Sequence, residues 1–302
     1  MRFLKSSIMA AALLPFTWFN NAHAVLVDTE LSLVIDISSS IDAGEFVLQR
    51  DGYANAFRDA SVQAAISALT NGIAVAAFPF ALTGAQATPW FHLQNAADAE
   101  AFATAIDAIP DEDVVGTNIA SGVDVALASM LSNDFEGTKL VIDVSTDGVQ
   151  NVFRPGLPCP ISDPPTALEV EACLAAFDAA IHGARDDAAA AGAFINALAI
   201  FDPASAAEYL AELEALLGGL PPGFPTTLEE YLMENLITGP DAFVLPTQFD
   251  DSFTDFVVSK ILAEIEPEEP PTPTPTPEPS TLLILLTAMA GLLLRNPKKL
   301  SA

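Results

Sequence analysis

The chain has 302 residues, of which 11 are Lys or Arg and 40 are Asp or Glu, a formal charge of −29. So acidic a balance opposes binding to nucleic acid or to an anionic membrane surface and favours solubility. With 51% hydrophobic residues, the length left between two compositionally distinct ends, about 240 residues, suffices for one well-buried domain.

The first 24 residues read as a secretion signal. Arg2 and Lys5 give a positive start, Ile8–Trp18 is apolar, and Ala22-His23-Ala24 forms a small-residue cleavage site. A permanent anchor is disfavoured, because the apolar stretch is short and ends in Asn20-Asn21. Every acidic residue follows this leader, whereas Arg2, Lys5, Arg295, Lys298 and Lys299 lie in the two ends. The exported part therefore sets six basic against 40 acidic residues, a formal −34. This is read as a solvated surface suited to salty surroundings, with the gathering of divalent cations as the more pointed alternative.

The apolar run Leu31–Ile37 has the composition of a strand buried on both faces of a parallel sheet. Asp42-Ala-Gly-Glu45 then has capping-box spacing, and Phe46, Tyr53 and Phe57 share one helical face. Ile73–Ala81 is a strand and Thr88–Leu93 an edge strand. Ala96–Ile109 is helical, as is the stripe Ile119, Val123, Ala126 and Met130. Leu140–Ser145 is a central strand, Ala167–Ala191 a helix, and Phe194–Ile200 a strand. Ala204–Leu217 and Leu228–Leu236 read as helices, Ala242–Leu245 as a last strand and Ser252–Ile265 as a closing helix. Six strands separated by helices predict an α/β fold: a doubly wound, mostly parallel six-stranded sheet flanked by helices. In such sheets ligands bind beyond the carboxyl ends of the strands, at the switch point.

Oxygen ligands collect at that edge. Asp36, Ser38 and Ser40 alternate as the first strand emerges, Thr117 precedes a helix, and Asp147 follows the strand that ends near Val144. Two carboxylates offset a dication, and three hydroxyls donate oxygen without adding charge, which suits a hard cation such as Mg²⁺, with Mn²⁺ or Ca²⁺ as alternatives. The structural alternative is a set of ordinary Ser-rich turns after strands.

The pattern Asp-x-Ser-x-Ser, a distant Thr before a helix and a Thr-Asp-Gly after a strand resembles the metal-ion-dependent adhesion site (MIDAS) of von Willebrand factor A domains. All five positions match, at Asp36, Ser38, Ser40, Thr117 and Asp147. Gln49-Arg-Asp-Gly-Tyr53, Val141-Ile-Asp-Val-Ser145 and Gly239-Pro-Asp-Ala-Phe243 are further similar to an uncharacterised bacterial branch of that family. The resemblance covers roughly Thr29 to Ile265, within a domain read as residues 25–265. It implies a Rossmann-like fold and a Mg²⁺ ion that captures an acidic group of a ligand. It also implies that Asp36, Ser38 and Ser40 lie nearest the ion, that Thr117 coordinates directly only in a ligand-bound state, and that Asp147 acts through water.

Residues 266–279, rich in Pro, Thr and Glu, read as an extended linker. Pro277, Glu278 and Pro279 open the last segment, 277–302, followed by an apolar helix over 281–294 and by Arg295, Lys298 and Lys299. The apolar run Leu282–Leu294, about 13 residues, spans only about 20 Å as a helix, short for a hydrocarbon core of about 30 Å. This order is similar to PEP-CTERM sorting tails, which implies transient membrane insertion and processing by an exosortase of a Gram-negative bacterium. The destination is then the cell surface or extracellular matrix. A plain single-pass anchor is the alternative.

Cys159 and Cys173 sit in one Pro-rich excursion and its following helix. Export favours a disulfide between them, closing a loop of about 15 residues and contributing about 3 kcal/mol, over two free thiols. Asp111-Glu112-Asp113 reads as a solvated acidic loop, with a second cation site as the alternative, and His92 and His182 as structural or exposed. No P-loop or Gly-x-Ser-x-Gly elbow occurs, position 38 is not the acid that a haloacid dehalogenase type of phosphatase needs, and two isolated histidines do not assemble a hydrolase. The expectation is a non-enzymatic adhesion protein that binds an unknown protein or polysaccharide. A metal-independent scaffold of the extracellular polymer or a metal-assisted hydrolase are the alternatives.

Overall fold

A computed structural model describes residues 24–111, 114–153, 162, 166–201, 211, 214, 219, 225–250 and 252–266. The predicted secretion signal, Glu112 and Asp113, Cys159, most of the expected helix Ala204–Leu217, the rest of the linker and the whole tail with Pro277, Glu278 and Pro279 lie outside the described residues. Among the described residues no helix is long and apolar enough to cross a membrane.

Six strands form one sheet in the order β3-β2-β1-β4-β5-β6. They are β1 (Val25–Asp36), β2 (Ile73–Phe80), β3 (Phe91–Leu93), β4 (Phe135–Thr146), β5 (Ala193–Ile200) and β6 (Val244–Thr247). Every pairing is parallel except β2 with β3. The expected α/β class and doubly wound sheet are what the molecule has. After β1 the chain winds outward through β2 to β3, then returns to place β4 on the other side of β1 and continues to β5 and β6. The switch point therefore falls between the carboxyl ends of β1 and β4.

Seven helices are described: α1 (Ala43–Arg58), α2 (Ala60–Ala68), α3 (Ala96–Asp107), α4 (Ile119–Met130), α5 (Ala167–Ala190), α6 (Leu228–Asn235) and α7 (Phe253–Ile265). Alternation along β1 divides the core. Leu31, Leu33 and Ile35 pack with Phe46, Tyr53, Phe57, Phe102 and Phe253 from the α1, α3 and α7 side. Val34 packs with Phe78, Phe80, Ile119, Val123 and Ile181 from the α4 and α5 side. Asp42 caps α1 as its spacing predicts, accepting from the Gly44 and Glu45 amides while Glu45 accepts from the Asp42 amide. α1 and α7 meet closely at Gly52, where an added Cβ would fall 2.5 Å from the Phe253 ring.

Where boundaries differ from the sequence-based expectation, polar residues explain it. β1 and β4 both begin several residues early, through segments containing Glu30, Glu136 and Lys139. Glu30 is buried but satisfied, accepting from Asn133 Nδ2 and the Gly137 amide, each at 2.7 Å. β3 is shorter than Thr88–Leu93: Pro89 has no N–H to pair, and the Thr88 hydroxyl instead accepts from the Ala77 amide at 2.9 Å. α2 was not expected; Asp59 ends α1 and caps α2 by accepting from the Ser61 amide at 2.8 Å.

One polar cluster lies inside the core. Lys260 on α7 pairs with Asp143 on β4 and with Glu264 one turn on, all three fully buried. Asn196 of β5 donates to Glu264 at 3.2 Å, and the Tyr53 hydroxyl of α1 approaches Asp143 at 3.5 Å. Asp143 Oδ2 and Glu264 Oε2 have no hydrogen-bond partner among the described residues. Burial, with the neighbouring Asp143 charge, pushes Glu264 up to about 8 despite Lys260.

Candidate metal centre and adjoining cavity

Beyond Asp36, β1 is held open rather than continued. The Ile37 amide still donates to Phe80 O at 2.8 Å, and the Ser39 amide donates to Val114 O at 3.1 Å. Between them Ser38 turns inward, its amide donating to Asp36 Oδ1 at 2.9 Å. Thr117 is set by a reciprocal clamp: its amide donates to Asn151 Oδ1 at 2.8 Å, and the Asn151 amide donates back to Thr117 O at 3.0 Å. Gly116, just before it, has φ of +106°, a conformation that L side chains rarely adopt. Gln150 ties the loop after β4 to the start of α4, accepting from the Ala120 amide and donating to Asn118 Oδ1.

All five predicted ligands converge. Ser38 Oγ lies 3.1 Å from Ser40 Oγ and 3.2 Å from Thr117 Oγ1, and Ser40 Oγ donates to Asp147 Oδ1 at 2.8 Å. Asp36 is fully buried beneath them, and Thr146 Oγ1 donates to its Oδ2 at 2.5 Å. Three loops, after β1, before α4 and after β4, thus bring two carboxylates and three hydroxyls to one rim.

Charge is unbalanced there. Neither Asp36 nor Asp147 forms an ion pair among the described residues. Burial pushes Asp36 up to about 6, against hydrogen bonds from Thr146 and Ser38 that favour its charge. Burial, and then the Asp36 charge beside it, pushes Asp147 up to about 7, with Ser40 opposing. No group of three or more His, Cys, Asp or Glu side chains suited to a metal occurs among the described residues. The rim is an all-oxygen set whose majority is neutral hydroxyl, chemistry that fits a hard divalent cation and not a soft one.

A family model matches residues 26–160 and 176–269. The chain belongs to DUF1194, a family described as protein of unknown function. All five rim residues of this DUF1194 chain fall inside the first matched segment. A search of curated proteins finds no match. Among solved structures, the chain is similar to proximal thread matrix protein 1 (PTMP1) from the mussel byssus, with 16% identity and a TM-score of 0.47. That match covers 80% of this chain and 47% of the mussel chain, so the chain spans about half the length of that relative. A second structure of the mussel protein, described as having a zinc-occupied MIDAS motif, matches at 16% identity and a TM-score of 0.45, covering 77% of this chain and 46% of that one. The vWF domain of the type V pili tip protein Mfa5 from Porphyromonas gingivalis matches at 12% identity and a TM-score of 0.46, covering 82% and 99%. At such scores the fold of the DUF1194 chain rests on its own strand order and register.

Other residues belong to the rim although sequence reasoning assigned them no role. Thr146 braces Asp36. Gln49, fully buried on α1, donates through Nε2 to Asp36 O at 3.0 Å and lies 3.4 Å from Ser145 Oγ. A polar residue on the apolar stripe Phe46, Tyr53, Phe57 was the signal for Gln49. The histidines stand in other bonds: His92 Nε2 lies 2.7 Å from Asn71 O, and His182 Nε2 lies 2.7 Å from Asn235 Oδ1. Cys173 is buried on α5 and disulfide-bonded.

A cavity of about 570 Å³ opens beside the rim, sharing Ser40, Thr117 and Asp147 with it. Leu174 and Phe177 of α5, Phe201, Tyr231 of α6 and Phe249 supply apolar walls, and Glu45, Asp178 and Glu234 supply acid.

Proposed function

We propose that this chain is an exported binding or adhesion protein that holds a divalent cation, Mg²⁺ in the first instance, at Asp36, Ser38, Ser40, Thr117 and Asp147. The observation that carries the reading is the rim itself: five oxygen-bearing side chains from three loops meet at the switch point, and the two carboxylates have no cationic partner among the described residues. A bound dication supplies the missing charge and keeps positions at which a ligand carboxylate replaces water. The chain's own residues do the rest. Thr146 and the Ser38 amide hold the Asp36 carboxylate, Asn151 holds Thr117, and the hydroxyls coordinate without adding negative charge, so that the ion keeps Lewis acidity toward an acidic group. The rim in this reading serves binding rather than catalysis, and the engagement of His92 and His182 in other bonds supports it.

In this reading the leader exports the chain from a Gram-negative cell and the tail passes through the membrane for exosortase processing. The protein then acts at the cell surface or matrix on a protein or polysaccharide, and the acidic surface keeps nucleic acid away. Isothermal titration of the full chain with Mg²⁺ and Mn²⁺ tests the centre. One saturable site is expected, absent in Asp36→Ala with circular dichroism unchanged. No binding by the wild type, or equal binding by Asp36→Ala, overturns the proposal.

A further inference from the structure

The cavity beside the rim is larger than one carboxylate requires, and its chemistry is mixed. Its walls are apolar, from Leu174, Phe177, Phe201, Tyr231 and Phe249, yet it also holds Asp178 and Glu234. Neither acidic side chain makes an ion pair or a hydrogen bond among the described residues. Burial raises the Asp178 carboxyl above its ordinary value, with only His182, one turn further along α5, opposing that shift. Apolar walls bearing unpaired carboxylates match a side chain with an aliphatic stem and a cationic head, which buries the stem and pairs the head.

We infer that this cavity is the second half of the ligand site, taking a lysine or arginine side chain that neighbours the carboxylate captured at the rim. The inference rests on the proposed metal-dependent reading and names the partner's chemistry: a protein segment with an acidic and a basic side chain close together. Whole-molecule charge points the same way. A partner that is acidic throughout is repelled by a chain of −29, whereas a paired base offsets that cost next to the ion. Continuity supports one ligand spanning both parts, because Ser40, Thr117 and Asp147 face the cavity as well as the rim.

The test uses labelled pentapeptides in which an aspartate is paired with lysine, norleucine or glutamate at each neighbouring position. Binding to the full chain is followed by fluorescence polarisation, in Mg²⁺ and in EDTA, beside calorimetry of Mg²⁺ alone. The best lysine peptide is expected to bind at least about tenfold tighter than its norleucine counterpart, and glutamate peptides weakest, with all binding lost in EDTA. Asp178→Asn combined with Glu234→Gln is expected to bring lysine peptides to the norleucine level. Metal-dependent binding without a lysine preference overturns the cavity assignment and leaves the ion site standing. So does Mg²⁺ binding with no peptide bound, or a lysine preference that persists in EDTA. Absence of Mg²⁺ binding instead overturns the metal reading, and this inference with it. The wild-type ranking decides the matter even where the double variant fails to fold.

Discussion

Two pairs of carboxylates border the same sheet, and the chain treats them oppositely. In the core, Asp143 and Glu264 share Lys260, so the fold supplies its own cation. At the rim, Asp36 and Asp147 are surrounded by hydroxyls and amides, and no lysine or arginine among the described residues reaches either. Burial raises Asp36, Asp147 and Glu264 alike, so desolvation does not distinguish the two places. What differs is access. The core pair is sealed under α7, whereas Ser40 and Asp147 open onto a cavity. A buried charge that the chain neutralises is architecture; one left short of a counter-ion at an accessible rim is a place for a cation from outside.

The largest expected effect breaks this comparison from both sides. Lys260→Met leaves the buried Asp143 charge without its cation, beside Glu264, and is expected to lower unfolding free energy by about 3–5 kcal/mol in urea titration. Asp36→Asn, measured without metal, is expected to leave stability unchanged or raise it, since it removes an uncompensated buried charge while keeping an oxygen to accept from Ser38 or Thr146. The same substitution abolishes the Mg²⁺ heat. Equal destabilisation by the two would show that Asp36 is a structural charge like its counterparts in the core.

A second effect concerns pH. Glu264 is raised in the folded chain from its ordinary 4.5 to about 8. Its contribution to stability is therefore fully present below the unfolded value and lost as pH climbs through the folded one. Across that window the unfolding free energy falls with rising pH by up to about 1.4 kcal/mol per unit for this one proton. Glu264→Gln removes that slope. Urea midpoints of wild type and variant at about pH 5, 6.5 and 8 check it: the variant is expected to gain on the wild type at each step. A constant difference would place the proton elsewhere in the cluster.

The two places also differ in how far the sequence discloses them. The rim is legible because its ligands are local. Asp36, Ser38 and Ser40 fall within five positions, and Thr117 and Asp147 flank an apolar strand or helix whose period is plain. The α/β class, too, follows from apolar runs alternating with helical stripes, whereas the strand order comes from the fold itself. The core cluster is spread over β4, β5, α1 and α7, and no short spacing joins Asp143 to Lys260. Its trace was three polar interruptions of apolar segments: Asp143 within Val141–Val144, Asn196 within Phe194–Ile200, and Lys260 with Glu264 on the face shared by Val257 and Ile261. A charge breaking an apolar stripe means little alone, because only the packed fold brings the interruptions together. Thr146 is illegible in the sequence for a related reason. Its sequence position says that it ends a strand, not that its hydroxyl turns back to the carboxylate that ends the neighbouring one.

Thr146 therefore offers the subtlest way to sharpen the comparison. Its hydroxyl donates to Asp36 Oδ2 at 2.5 Å and accepts from the Gly148 amide at 3.2 Å, so it fixes both the carboxylate and the turn that carries Asp147. Valine keeps the branched shape that suits a strand end and removes only the hydroxyl. In the core, Asp143 is held by a full charge, so loss of the nearby Tyr53 hydroxyl leaves it oriented. At the rim no such charge exists, and orientation depends on neutral donors. Thr146→Val is thus expected to weaken Mg²⁺ binding by about tenfold to a hundredfold, the usual effect of removing a group that orients a metal ligand. Its metal-free stability is expected to change by only about 1 kcal/mol, the net contribution of a typical hydrogen bond. Calorimetry with Mg²⁺ beside a urea titration separates the two. Unchanged affinity would mean that the Ser38 amide alone holds the Asp36 carboxylate, and that the rim is stiffer than its neutral donors imply.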